Sequence, residues 1–526
     1  MRDGACLHAR AGSIMGNATD RPKSEQVVDS LMGAWVKIRL LNHCLCLVAC
    51  AGLLFAPVVP RAQVNLPDIG SPADAILSKS EEARIGQAIM RSIRASGKLV
   101  EDPQITEYVN EIGHRVAAYA NDGEYSFTFF VIDDPNINAF ALPGGYIGVH
   151  TALLEATRNE NELAGVLAHE IAHVTQRHIA RAVHANQRQS LLSTAIMLGA
   201  ILAGAAGGSS DAMQGAIAVA QGTSAQQQIN FTRSNEYEAD RVGIAALADA
   251  GFDPQGMASF FEVISRETRP VESRVPEFLR THPVSSARIA EARGRARAFD
   301  VKATTDSTNY GIAQARLHVS RQGTAEAAVS QVERKSYEQQ SDTERYGRAV
   351  AYMRAGRHDE ANRIFEELAN KDQKVIAYHI GLAQSQLALE RIDAARATFE
   401  RARELFPRNV PLVVHYAEAL LQLGEPKLAH QILLDLFNNV QPTPEQVRLI
   451  ARAAIDAGDT AEAHYYMAEY SLMIGDLVQG VHFLRQALQV PELQEIQRIR
   501  FEARIDFIRE YMTEEQLQQM QRSRRS

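Results

Sequence analysis

Alanine recurs at a fixed interval of 34 residues through the second half of this 526-residue chain, a regularity that a single irregular core does not produce. Ala349, Ala383, Ala417 and Ala451 form one series, and Ala361, Ala395, Ala429 and Ala463 form another. Gly356, Glu390, Gly424 and Gly458 keep the same spacing, and Phe365, Phe399, Leu433 and Met467 each follow the second alanine series by four positions. Small residues at two fixed places let paired helices pack closely, so the period predicts stacked helix pairs over 341–510 that turn at the Gly position. Pro407 closes one unit where the next begins. Ala315 and Ala327 hold the phase one period earlier, which predicts a degenerate repeat starting near residue 309 within connecting helices over 301–340. Ala468 and Gly475, shifted by half a repeat, predict a final pair before a polar tail at 511–526.

A chain this long exceeds one ordinary core, and 46% hydrophobic with 22% charged residues is enough to fill more than one. The net charge of -8, without a sustained basic block, argues against nucleic acid as a partner. All four cysteines (Cys6, Cys44, Cys46 and Cys50) and the single tryptophan, Trp35, fall in the first 50 residues. That stretch reads as an address. Met32 starts a basic segment with Lys37 and Arg39, an apolar run covers 40–59, and Ala62 before Gln63 offers a cleavage point. The expectation is a natural start at Met32, with 1–62 as upstream segment and signal peptide. Lipidation at Cys50 and an uncleaved anchor are the two alternatives. Each of the three exports the chain, and the first leaves a mature protein without a disulfide scaffold, a cysteine-ligated metal or a thiol nucleophile.

Residues 63–300 carry mixed signals. Helical spacing at Glu81–Met90 and Asp102–Val116 precedes an aromatic, β-branched strand at Tyr125–Asp133. A hairpin then turns at Pro143-Gly144-Gly145. Helical spacing returns over 160–182, with Leu163, Val166, Leu167, Ile171 and Val174 on one face, and again from Asn235 to about Ala250, with Gly251 as cap. The fold class expected is α+β: a mostly helical domain with a small sheet, followed by an all-α solenoid.

The chemistry is concentrated in His169-Glu170-Ile171-Ala172-His173. Four residues advance a helix by about 400°, so the two imidazoles stack one turn apart and can share one metal ion. A zinc ion there would acidify a bound water, and Glu170, next to the first ligand, is placed to take the proton. With 16 histidines in 526 residues, a chance match to this spacing is an event of about a few per cent. A third protein ligand is needed. Glycine at 176 and histidine at 179 would extend the motif, but the chain has Gln176 and Ile179 there. His178 and His184 miss that spacing and read as decoration of an exposed helix face. Glu236 and Asp240, in E-Y-E-A-D, share a helix face 63 and 67 residues after His173, while Glu238 points away. One of them could ligate and the other back a ligand imidazole, although a solvated acidic face would look the same.

Together, H-E-I-A-H-V-T-Q-R-H, N-E-Y-E-A-D-R-V-G and T-H-P-V-S-S-A-R resemble the gluzincin family of zinc metallopeptidases that includes the CAAX prenyl endoproteases, and the 34-residue units resemble tetratricopeptide repeats. The resemblance implies a zincin-type domain holding one Zn²⁺ through His169, His173 and Glu236. Glu170 would be its catalytic base and Asp240 a second catalytic acid or a support for a ligand. His282 and Arg288 match positions near the metal or the oxyanion. Asn138, Ala139 and Phe140 are the expected edge strand for an extended substrate.

The function expected is an exported endopeptidase in the periplasm, associated with the outer membrane. Its repeats would recruit unfolded or misassembled envelope proteins, outer-membrane β-barrel proteins among them, and contact the machinery that assembles such barrels. A chaperone or assembly factor acting through the repeats is one rival. An integral-membrane peptidase is the other, because residues 191–208 are uncharged; a buried or membrane-surface hairpin there is the favoured reading. All candidate ligands precede residue 290, so a piece ending near residue 305 is expected to keep its metal.

Overall fold

The computed structural model describes residues 77–120, 123, 125–185, 233–267, 276–301 and 306–510, with a few positions between 512 and 518. The segment expected to be a signal peptide, all four cysteines, Trp35 and residues 191–208 lie outside the described residues. The described elements belong to one compact unit, Gly70–Ser526.

The first half comprises α1 (Lys79–Ala95), α2 (Pro103–Ala120), β1 (Thr128–Ile132), β2 (Ala139–Leu142), β3 (Tyr146–His150) and α3 (Thr151–Ala156). It continues with α4 (Glu160–Thr175), α5 (His178–Ala185), α6 (Arg233–Asp249), α7 (Gln255–Glu267), α8 (Glu277–Thr281) and α9 (Ser286–Ala296). The sheet order is β1-β3-β2, with β1 parallel and β2 antiparallel to β3. Backbone bonds from Val100 N to Val131 O (2.9 Å) and from Asp133 N to Lys98 O (2.8 Å) cover the outer side of β1. Among the described strands, β2 therefore forms the free edge.

Helix α4 is not amphipathic in its surroundings. Every residue from Glu160 to Val174 is buried, because α2, α6 and α7 and the sheet enclose it. The expectation of one apolar face on a half-exposed helix is corrected: alanine and glycine between the larger residues suit a helix packed on all sides. Gly243 on α6 shows how tight that packing is, since a Cβ there would meet Ala168 O at 2.9 Å. The expected single helix over 160–182 is also corrected. It breaks after Thr175, and Arg177 takes a left-handed φ of 53° before α5 begins.

The second half opens with α10 (Thr308–Ser320) and α11 (Ala325–Val332). Five helix pairs follow: α12/α13 (Asp342–Arg354, His358–Lys371), α14/α15 (Ile376–Ala388, Ile392–Leu405), α16/α17 (Val410–Gln422, Pro426–Phe437), α18/α19 (Pro444–Asp456, Thr460–Ile474) and α20/α21 (Leu477–Leu488, Glu495–Glu510). All eight periodic alanines are buried. The turns repeat one backbone shape: Gly356, Gly424 and Gly458 have φ of 72°, 76° and 89°, and Glu390 is held in the same region at 57° although it is not glycine. In the degenerate first pair the phase slips by one residue. Ala327 is exposed, and Ala328 is the alanine packed inside.

Packing continues across the boundary expected at residue 300. Tyr310, Ala313 and Leu317 of α10 belong to the same core cluster as α2, α4 and α7. The Tyr310 hydroxyl donates to Thr157 O at 2.8 Å. Arg316 Nη2 reaches Asp102 Oδ2 at 2.6 Å, its Nη1 donates to the Tyr346 hydroxyl at 2.8 Å, and that hydroxyl donates to Gln104 Oε1 at 2.9 Å. Helix α2 is thereby bonded to both α10 and α12. A chain ending near residue 305 would lose this wall of the core. Truncating Tyr310 to alanine in the full chain should cost about 3–5 kcal/mol, as for other buried aromatic residues, read as a lower urea midpoint. An unchanged midpoint would show that α10 is only a connector.

Candidate metal centre

Two imidazoles one turn apart on α4 face a carboxylate from the first turn of α6. His169 Nε2 and His173 Nε2 are 3.0 Å apart. Glu236 Oε2 lies 3.6 Å from the first, and its Oε1 lies 3.5 Å from the second. His282 follows α8 directly, where Pro283 stops the helix. Its Nδ1 is 3.3 Å from His169 Nε2 and 3.2 Å from each oxygen of Glu236. The four ligand atoms lie within 4.8 Å of one another, and all four residues are buried. A tetrahedral zinc with bonds of about 2.0–2.1 Å would separate its donors by about 3.3–3.4 Å. The distances here bracket that spacing, and a set of imidazoles with one carboxylate suits a borderline-soft ion. The residues fit a metal.

Behind these four side chains stands a second layer of charge. His169 Nδ1 is 3.0 Å from Asp240 Oδ1. Arg288 grips Asp240 through Nε at 2.6 Å and Nη2 at 2.8 Å, while its Nη1 lies 2.6 Å from Glu236 Oε2. The guanidinium carbon sits 4.7 Å from the centre of the Phe261 ring. Burial would raise the Asp240 carboxyl, but Arg288 and His169 outweigh it and hold it below the usual range. Burial would likewise raise Glu236, and His282 and His169 hold it well below. Burial would lower the His169 imidazole, but Asp240 and Glu236 lift it to about 9. The pocket therefore draws positive charge towards its centre.

Glu170 is 1% exposed, and neither carboxylate oxygen has a hydrogen-bond partner. Its Oε1 is 3.5 Å from His282 Nε2. A buried carboxylate without a hydrogen bond is costly, which fits a group kept for a proton. Glu238 points away from the cluster, as read from the sequence, and pairs with Arg181 Nη1 at 2.8 Å. His178 was misread. It is fully buried, with Nδ1 2.8 Å from His173 Nδ1, because the break at Arg177 swings it off the exposed face and behind the ligand. No glycine or proline at 176–177 signals that break. Asn138 and Ala139 are buried and Phe140 half-buried, so β2 offers its backbone more than its side chains.

The chain is 35% identical over 462 residues to the beta-barrel assembly-enhancing protease of Escherichia coli, an alignment covering 86% of this chain and 93% of that one. It belongs to that protease family. A putative beta-barrel assembly-enhancing protease of Vibrio cholerae is 35% identical over 471 residues, covering 88% of this chain and 95% of its own. The mitochondrial metalloendopeptidase OMA1 of Arabidopsis thaliana is 26% identical over 222 residues, 42% of each chain. Peptidase family M48 matches residues 103–296, and a tetratricopeptide repeat matches 386–453. The protein is a metalloendopeptidase with tetratricopeptide repeats, and the mostly helical α+β-then-solenoid architecture is the one expected.

Arg288→Met should expose the charge balance. It leaves two buried carboxylates short of a cation, so the metal-free protein should lose about 3–5 kcal/mol. Added zinc should then raise the melting temperature more in the variant than in the parent. Equal zinc-induced shifts would mean that Arg288 does not neutralise the site.

Proposed function

We propose that this member of the protease family is an exported zinc endopeptidase whose Glu170 activates water against peptide bonds of misassembled outer-membrane β-barrel proteins in the periplasm. One observation carries the chemistry: a buried Glu170 whose oxygens accept no hydrogen bond, beside a tetrahedral-sized set of donors. His169, His173 and Glu236 would hold one Zn²⁺, which when bound supplies Lewis acidity and lowers the pKa of a water towards about 7. Glu170 takes a proton from the attacking water and hands it to the leaving amine. Asp240 orients His169 through Nδ1, and Arg288 fixes both Asp240 and Glu236. The substrate lies extended along the outer edge of β2, bonded through the backbone near Ala139 and Phe140.

Support for the clients comes from the names of the relatives, and the repeats supply surface for recruiting them or for meeting the barrel-assembly machinery. One observation favours a shut resting state and hence a larger chaperone share. His282 Nδ1 stands where a fourth donor would close the shell, so hydrolysis requires that ring to yield. Among the described residues, no helix is long and apolar enough to cross a membrane.

Glu170→Gln should keep zinc yet abolish cleavage of casein, because the base is lost and the ligands are not. His169→Ala and His173→Ala should lose both. Casein cleavage retained by a folded, zinc-loaded Glu170→Gln protein would refute the mechanism.

A further inference from the structure

The ligand His173 is backed by another imidazole rather than by a carboxylate. We propose that His178, ordered by Glu238, is a positioning residue that sets the tautomer and ring orientation of His173 for metal binding. The proposal rests on the zinc reading above.

His173 turns Nε2 towards the other donors. To ligate as a neutral ring it must carry its proton on Nδ1. The atom facing Nδ1 at 2.8 Å is His178 Nδ1. Two N–H groups there would repel, and so would two lone pairs, so His178 accepts at Nδ1 and keeps its own proton on Nε2. Glu238 Oε2 lies 3.2 Å from that Nε2 and accepts it. Arg181 Nη1, 2.8 Å from the same oxygen, holds Glu238 as an acceptor-only carboxylate. The protons can point only one way along this line: from His173 to His178, and from His178 to Glu238.

The backbone is arranged for it. Arg177 accepts a left-handed φ of 53°, a conformation costing about 1–2 kcal/mol for a non-glycine residue, and that turn brings His178 beneath His173. Arg177 Nη2 is tied to Leu77 O at 2.6 Å and lies 3.6 Å from Glu82 Oε1, so the start of α1 holds the turn. Helix α6 then grips His173 from two sides, with Glu236 at Nε2 and Glu238 behind His178. An imidazole relay also keeps a further carboxylate away from Glu236 and Asp240. The negative charge is displaced by one ring, to where partly exposed Arg181 neutralises it.

The test measures zinc affinity of the full chain by competition with a chelator, after the parent protein has been shown to bind one zinc. His178→Leu keeps bulk without an acceptor and should bind zinc about 10–100-fold more weakly. His178→Asn places an amide oxygen near the lost Nδ1 and should stay within about threefold of the parent. Glu238→Leu should lose about tenfold, because it removes the acceptor that keeps the His178 proton on Nε2. Parental affinity in His178→Leu overturns the proposal, as does equal weakening in the leucine and asparagine variants. Should His178→Leu fail to fold by circular dichroism, Glu238→Leu decides: weaker zinc binding supports the relay and parental affinity overturns it. A parent protein that binds no zinc sinks the zinc reading and this inference with it.

Discussion

Carboxylates buried in an apolar core must be matched by positive charge, and the peptidase half is organised around that requirement. Glu170, Glu236 and Asp240 are 1%, 2% and 3% exposed, and Arg288 is the buried guanidinium among them. Three carboxylates against one guanidinium leave a deficit of two charges when the imidazoles are neutral. One divalent cation cancels it. Ions of this size cost several kcal/mol each to bury uncompensated, so the cluster is stable only where its members face one another at close range. This explains why α4 is enclosed on all sides, and why the carboxylates arrive on a helix packed so tightly that Gly243 has no room for a Cβ.

That packing extends into the repeats. Helix α2 lies against α4 on one side and bonds to α10 and α12 through Asp102, Gln104, Arg316 and Tyr346. Burial would raise the Asp102 carboxyl, and Arg316 more than offsets it, so the junction is held by an ion pair with little exposure to water. Arg94 adds a second tie, donating to Met473 O at 3.3 Å, far along the solenoid. The repeats buttress the peptidase at both of its first helices.

Legibility in the sequence followed locality. The 34-residue alanine series gave the solenoid because each unit buries the same small residues against its neighbour, and one turn of helix was enough to bring His169 and His173 together. Glu236 and Asp240 were legible as a face. What the pattern left open was which face met the metal, because that depends on Gly243 and the approach of α6. His178 was unreadable: its role depends on a left-handed residue at Arg177, which carries no glycine or proline mark. The place of α10 was missed for a related reason. Its phase matches the repeats, yet Tyr310 and Leu317 bury against the peptidase, and periodicity does not tell which neighbour a helix chooses.

The candidate ligands His169, His173, Glu236 and His282 come from three segments, so the cluster exists only when α4, α6 and the end of α8 are docked. Metal binding is then coupled to tertiary structure, as in other sites assembled from distant parts of a chain. The coupling changes how recruitment by the repeats must work. A docking module on a flexible linker raises the local concentration of a client by an amount set by linker length. Here α10 is core to one half and first helix of the other, so among the described residues the two halves are joined by packed structure. Were the repeats to hold a client and β2 its extended segment, as proposed above, a distance fixed by the fold rather than a tether would set which segment of the client reaches the candidate site.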